Sequence, residues 1–328
     1  MPRIGMNPSR SKTLDYTPAR VTVAVMTYLP NQVGYFQHRF DVTRLTIESI
    51  LANTAEPYDL LVFDNGSCPE MVEYLVSLNR AGKIDHLMLS KHNMGKLNAL
   101  YRIMQAAPGD IIAYTDDDVF HLPGWLEAHL EIIDTFPNVG AVTGFYIRQR
   151  VNMSSDSTLK FAENGADATR RGLLMPRKWE EEYMDNSGRT EARYQEEVAG
   201  IEDIIVKYKG LEAWVSAHHF QVVTPKAVIV PILEEMLTQG WSDQLMGRMV
   251  EMDDRMDAKG YLRFCTLEQT VMLMGNAINK EIAQVAEKYG LNAAEVDQPT
   301  AVPKLAKNRY VQNIMQRLIN FLYKRLNT

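Results

Sequence analysis

The sequence predicts an α/β fold built on a mostly parallel sheet with helices on both faces. Three observations lead there. Short β-branched and apolar runs alternate with helical patterns of ten or more residues between Val21 and Gly144. The runs are short and rich in β-branched and apolar residues, as in strands covered on both faces. Polar residues suited to holding a ligand stand directly after the runs, where open α/β sheets bind.

Taken in order, the predicted strands are Val21–Met26, Leu60–Phe63, Ile84–Leu89, Ile111–Thr115 and Val139–Gly144. The helical patterns between them are Val42–Asn53, Glu70–Ala81, Lys96–Ala107 and Gly124–Phe136. From Arg148 to Gly210 the chain is charged and broken by Gly, Asn and Ser, with a weak helical pattern around Lys178–Val198, and it reads as an insertion or lid. Leu211–Val223 reads as a strand pair, and Pro225 opens a helix to Gln239. A second helix is expected over Ser242–Lys259, stopped by Gly260, and a strand over Leu262–Thr266. The resulting division is a tail over 1–20, a first half over 21–147, the insertion over 148–210, a second half over 211–276 and a C-terminal helical extension over 277–328.

Composition narrows the classes. Of 328 residues 46% are hydrophobic and 23% charged, which excludes a disordered or low-complexity chain. Cys68 and Cys265 stand alone and far apart, against a disulfide framework or a thiolate zinc site. No apolar run approaches the roughly 20 residues of a membrane span, and the first residues lack a signal-peptide pattern. The expected location is therefore cytoplasmic, with peripheral contact at the inner membrane face as the variant of it. Net charge is −6, but positions 303–328 hold six basic residues and no acidic one, so the body is more acidic than the average. A surface that acidic argues against nucleic acid as partner. Lys304–Leu326 is amphipathic, with Tyr310, Val311, Ile314, Met315, Leu318, Phe321 and Leu322 on one face. Such a basic helix suits a membrane surface, a homodimer contact or docking on the acidic body.

The feature that points most directly to chemistry is Asp116-Asp117-Asp118 at the end of an apolar run. Three adjacent carboxylates repel one another unless cations sit among them, and oxygen ligands suit Mg²⁺ or Mn²⁺. Around it stand Thr27-Tyr28, Asp64-Asn65-Gly66-Ser67 and Asn93-Met94-Gly95-Lys96, each just past a strand or at a helix start, and Pro123-Gly124-Trp125 follows. In order and spacing these pieces resemble the nucleotide-binding half of family 2 glycosyltransferases, which have the GT-A (Rossmann-like) fold. The resemblance is close over about 21–145 and looser over about 211–276.

What the resemblance implies is carried over by residue. Thr27 and Tyr28 would border the nucleobase and ribose, Asp64 would accept a hydrogen bond from one of them, and Asn93 and Asp117 would belong to the donor site. Lys96, at a helix N-terminus, would approach the diphosphate, and Asp116 and Asp118 would be the Asp-x-Asp pair holding Mn²⁺ or Mg²⁺ and the donor. For Asp64 an Asx-turn with Asn65-Gly66 is the competing reading. The donor would be a UDP- or GDP-linked sugar, and the acceptor a hydroxyl on a glycan, a lipid-linked molecule or a small molecule. An inverting transfer needs a carboxylate base. Asp243, at the expected helix start, is the first choice and Asp254 the fallback. Trp125, Trp241 and His218 are the expected acceptor contacts.

One departure stands out. Where family members often carry a histidine in the segment matching Val271–Asn276, this chain has Met272, Leu273 and Met274, and thioethers are poor ligands for hard cations. His219, His218 or His121 would then substitute if a nitrogen ligand is used at all. Met246, Met249, Met252 and Met256 recur at helical spacing and read as a packed stripe. Glycine-rich phosphate loops, zinc-protease and α/β-hydrolase motifs are absent. Two alternatives stay open: a nucleotide-sugar-binding protein without turnover, and a retaining transferase on the same fold.

Overall fold

The computed structural model describes residues 5–296 except 56 and 239, so the C-terminal segment Lys304–Leu326 lies outside the described residues. The first half alternates strand and helix: β1 (Val21–Thr27), α1 (Arg39–Asn53), β2 (Asp59–Asp64), α2 (Pro69–Arg80), β3 (His86–Leu89), α3 (Lys96–Ala106) and β4 (Ile111–Asp116). A short β5 (Val119–His121), α4 (Trp125–Thr135) and β6 (Val139–Thr143) follow. Residues 148–210 contain α5 (Asp156–Asn164), β7 (Ala168–Gly172), α6 (Arg177–Ser187), α7 (Glu191–Glu197) and β8 (Asp203–Tyr208). The remainder is β9 (Leu211–Val215), β10 (Gln221–Pro225), α8 (Lys226–Met236), α9 (Met249–Ala258), β11 (Leu262–Thr266), β12 (Val271–Leu273) and α10 (Lys280–Lys288).

Ten strands form one sheet in the order β3-β2-β1-β4-β10-β6-β11-β9-β8-β7. The first four are parallel, and β10 enters antiparallel between β4 and β6. β6 and β11 are again parallel, while β9, β8 and β7 continue antiparallel. The fold is thus mixed α/β, parallel where the nucleotide half was expected. β9 and β10 exist as predicted but do not pair with each other, because β11 and β6 lie between them. The weak helical pattern around Lys178–Val198 resolves into two helices, broken where Gly188 takes φ 63°.

Alternation along β1 explains its apolar run. Val21, Val23 and Val25 face a cluster with Ile47, Ile50, Met71, Leu75 and Trp125, while Ala24 and Met26 face Leu97, Leu100, Ile103 and Met256. Met249, Met252 and Met256 are buried, as a packed stripe requires, but Met246 is exposed because α9 begins only at Met249. Among the described residues no helix is long and apolar enough to cross a membrane.

Residues 148–210 are tied to the sheet by a buried ion cluster. Asp203, at the start of β8, accepts from Arg148 Nε and Nη2 (both 2.8 Å), Tyr146 OH (2.9 Å) and the Leu174 and Met175 amides (2.7 and 2.8 Å). Burial alone would raise the Asp203 carboxyl, yet the Arg148 hydrogen bonds and the amides hold it below its ordinary value. Asp203→Asn should therefore cost about 3–5 kcal/mol, the usual loss when one partner of a buried pair is removed. Urea unfolding at neutral pH measures it.

Candidate active site

β4 delivers its acidic end to the carboxyl edge of the parallel strands, and the period of two splits the three carboxylates. Asp117 turns inward: it accepts from Tyr28 N (3.1 Å) and Thr43 Oγ1 (3.2 Å) and pairs with Arg39 Nη2. Asp116 and Asp118 stay partly open, with side chains 19% and 32% exposed. Asp116 accepts from Lys96 Nζ (2.6 Å) and Tyr114 OH (2.5 Å). Asp118 Oδ2 accepts from Arg39 Nη1 (2.9 Å), which also donates to Gly275 O (2.8 Å).

This arrangement sets the electrostatics. Burial raises the Asp118 carboxyl, Arg39 pulls it back, and Asp116 and Asp117 add to the rise, leaving it at about 6. Burial works against the Arg39 charge, but Asp117 and Asp118 more than offset it and hold Arg39 above its ordinary value. Nothing in the sequence marked Arg39 or Thr43. Their signal would have been that three carboxylates need cations, and Lys96 supplies only one.

Asn65, Gly66 and Asn93 shape the neighbouring edge. Asn65 Nδ2 donates to Asn93 Oδ1 (3.0 Å), which also accepts from Gly95 N (2.8 Å), while Asn65 Oδ1 accepts from Met94 N (2.9 Å). Gly66 has φ +91°, and a Cβ there would meet Asn93 N at 2.7 Å, so only glycine lets the two loops close. Thr27 and Asp64 are fully buried. Asp64 accepts from Thr27 Oγ1 (3.1 Å), Gly66 N (3.2 Å) and Ser67 N (3.0 Å), so here the carboxylate orders the turn, as in the Asx-turn reading. Tyr28 is half-buried against Phe36, with ring centroids 6.2 Å apart.

Several expectations need correction. Trp125 lies in the core with its Nε1 on Thr54 Oγ1 (2.9 Å), so it cannot meet an acceptor. Gly124, in the left-handed region, turns the chain inward at that point. His218 is also buried, with its ring stacked on Phe220 at 3.5 Å and Nε2 beside Phe145 O (2.9 Å). Burial pushes it well below its ordinary range, which suits a neutral packing residue. His121 is buried with neither ring nitrogen partnered, far from the role of an accessible ligand. Met272 and Met274 pack with Phe120 and Ile278.

The helix expected from Ser242 begins at Met249, so Asp243 is an exposed loop residue and not a helix start. That loop is docked. Ser242 exchanges two hydrogen bonds with the Asn98 side chain (2.9 and 3.0 Å), and Leu245 O accepts from Lys96 N (2.6 Å). The Lys96 amide is therefore not free for a phosphate, and the lysine's ammonium is the group that faces the cleft edge through Asp116. Trp241 is exposed, with the Arg102 guanidinium 5.2 Å from its ring centroid. Asp254 accepts from Ser154 Oγ (2.5 Å). His219 is 18% exposed, with Nδ1 3.4 Å from Asp253 Oδ2. Asp253 is itself held by the buried Arg263 (2.9 Å), and Phe220, next to His219, accepts from the Asp116 amide (2.8 Å).

A divalent cation fits the open pair only in part. Among the described residues no group of three His, Cys, Asp or Glu is placed to hold a metal ion. Asp116 and Asp118 offer oxygen donors of the right kind, and an ion between them would complete its shell with substrate phosphates and water.

Residues 36–193 match the family described as "Glycosyl transferase family 2". That match covers just under half of the chain, from before α1 into α7, and is what these residues are similar to. Over 127 residues it is 28% identical to the glucosyl-dolichyl phosphate glucuronosyltransferase of Haloferax volcanii, covering 38% of this chain and 37% of that relative. The chain thus spans well under half the length of that relative. Among solved structures, TarS 1–349 of S. aureus is similar at 11% identity and TM-score 0.44, over 85% of this chain and 67% of that one. The mannosyltransferase PcManGT of Pyrobaculum calidifontis, in complex with GDP-Man and Mn²⁺, is similar at 21% identity and TM-score 0.33, over 45% and 44%.

Two outcomes follow from the buried charges and histidines of this region. Arg39→Met leaves Asp117 buried without its cation and should cost about 3–5 kcal/mol in denaturant unfolding. His121 and His129 are pushed by burial to about 3 and about 4. Their folded values lie below the unfolded one, so stability is full above about pH 6.5 and falls toward pH 4, by about 1.4 kcal/mol per pH unit for each histidine. His121→Leu should flatten that slope at little cost at pH 7, read from unfolding curves across the range.

Proposed function

We propose that the chain transfers a sugar from a UDP- or GDP-linked donor to a hydroxyl acceptor, with inversion at the anomeric carbon. The observation that carries this reading is the open pair Asp116 and Asp118 beside Lys96 at the carboxyl edge of the parallel strands. Asp116 and Asp118 would hold Mn²⁺ or Mg²⁺, which would supply charge stabilisation for the departing diphosphate. Lys96 Nζ adds a positive charge on the same side, and Tyr28, whose amide donates to Asp117, would border the nucleobase. Thr27, Asp64 and Asn93 support the site by shaping the turns under it, and Asp117 keeps Arg39 and Tyr28 in place.

Asp243 is proposed as the base. It is exposed on the segment whose neighbours Ser242 and Leu245 dock on α3, close in sequence to contacts with Lys96. Asp254, by contrast, is engaged with Ser154. The acceptor oxygen forms its bond to the anomeric carbon as the carbon–phosphate oxygen bond breaks. The acceptor proton goes to the Asp243 carboxylate and the diphosphate leaves with its electron pair. Trp241 is the remaining candidate for an acceptor contact, and His219 for a nitrogen ligand. A sugar linked through a lipid phosphate is the favoured acceptor class, because the Haloferax volcanii relative is a glucosyl-dolichyl phosphate glucuronosyltransferase.

The test is thermal stability with Mn²⁺ and a panel of UDP-, GDP-, TDP- and CMP-sugars. A donor at about 100 times its dissociation constant adds about 2.7 kcal/mol, visible as a raised midpoint. The shift should require metal, favour one nucleotide and vanish in Asp118→Ala. Slow metal-dependent donor hydrolysis would separate a transferase from a protein that only binds, and no shift with any donor would overturn the reading.

A further inference from the structure

Four large apolar side chains stand in solvent within one stretch of ten residues: Trp241 is 58% exposed, Leu245 66%, Met246 68% and Val250 39%. We infer that this stretch, the loop after α8 and the first turn of α9, is a lipid-surface contact that seats the protein on a membrane. Scattered exposed apolar residues are ordinary, but such a concentration marks an interaction site.

The exposure is built in. Asn98 grips the Ser242 main chain with two hydrogen bonds, and Lys96 N donates to Leu245 O. Gly95 and Gly247 permit the close approach: a Cβ on Gly95 would meet Gln244 O at 3.0 Å, and one on Gly247 would meet Leu97 Cβ at 2.8 Å. With the main chain fixed against α3 in this way, the side chains of Leu245 and Met246 are left facing water.

Size and composition decide the occupant. Four such side chains offer a few hundred Å², against the roughly 800 Å² per partner of a stable protein interface. A second copy of the chain is therefore poorly matched. Trp241 borders a pocket of about 290 Å³ with Asn98, Tyr101, Arg102 and Leu237, which is too small to seat a helix. A tryptophan with leucine and methionine beside arginine is the composition that settles at the boundary of headgroups and acyl chains. Arg102 lies against the Trp241 ring, and Arg248, 73% exposed, follows Gly247. Asp243 is the exposed acid in the stretch, while Glu251 is paired with Arg248 and Arg255. For the transferase, contact here would bring a lipid-linked acceptor to the side of α3 that carries Lys96. That purpose rests on the proposed function, but the binding does not.

Trp241 is itself the reporter, since Trp125 and Trp214 are buried and Trp179 is half-buried. The full chain, without donor, is mixed with phosphatidylcholine vesicles, with and without phosphatidylglycerol and with brominated acyl chains. The expected result is co-flotation with the vesicles and quenching by bromine that Trp241→Phe removes. Leu245→Ser with Met246→Ser should lower the partition coefficient about tenfold or more while the melting midpoint holds, because both side chains are exposed. No flotation would overturn the inference. So would flotation unchanged in the double variant, which would assign binding to the basic C-terminal segment. Trp241 shielded from aqueous iodide in the vesicle-free chain would also overturn it, since a protein surface would then cover the patch. Donor hydrolysis measured without vesicles reports separately on the transferase reading.

Discussion

Three consecutive carboxylates at the end of a buried strand can be folded together only if cations meet them. That requirement organises the site. Arg39, on the first turn of α1, spans Asp117 and Asp118 and reaches Gly275 O, and Lys96, the first residue of α3, meets Asp116. The acidic turn therefore fixes two helices from the first half and a segment that arrives more than 150 residues later. Asp117 and Asp118 share Arg39 while Asp116 has Lys96, so removing either cation is felt at the other carboxylates through their mutual repulsion.

The pairing also divides the labour. Asp117 is taken up wholly by the protein, through Tyr28, Arg39 and Thr43, and becomes a structural group. Asp116 and Asp118 each hold one protein cation and keep part of their surface open. An incoming dication with a diphosphate would meet Lys96 as a point charge able to move from carboxylate to phosphate, whereas the planar Arg39, locked by several acceptors, stays put. In the proposed function, Lys96 is the charge that would move, while Arg39 and Asp117 hold the frame.

Residues 21–147 were legible because strands covered on both faces leave apolar runs, and each boundary there carried a glycine, proline or polar turn. The positions of Asp116, Asp118 and Lys96 in the fold were legible for the same reason, at or just past a strand end and at a helix start. What stayed hidden depends on pairing across the chain. Arg39 looks like any helix-start arginine until its partners, nearly 80 residues on, are brought to it. Trp125 after Pro123-Gly124 reads as a platform for a sugar, and only the left-handed Gly124 shows that the ring turns into the core. The stretch before α9 has the apolar spacing of a helix, but Gly240 and Gly247 take positive φ and α3 competes for its main chain. Local periodicity cannot report that competition. β7 was missed because it is charged, as an edge strand is, and β8 because its buried run, Ile204–Val206, is only three residues long inside a charged stretch.

The same competition ties the donor side of the molecule to its surface. A helix N-terminus usually offers free N–H groups to an anion. At α3 the first of these is satisfied by Leu245 O and the Gly95 amide by Asn93 Oδ1, so in the proposed transferase these two amides would not be what meets the phosphate. The carbonyl that closes the helix belongs to the residue whose side chain is displayed to solvent. One main-chain hydrogen bond thus joins the exposed stretch to Lys96, the partner of Asp116.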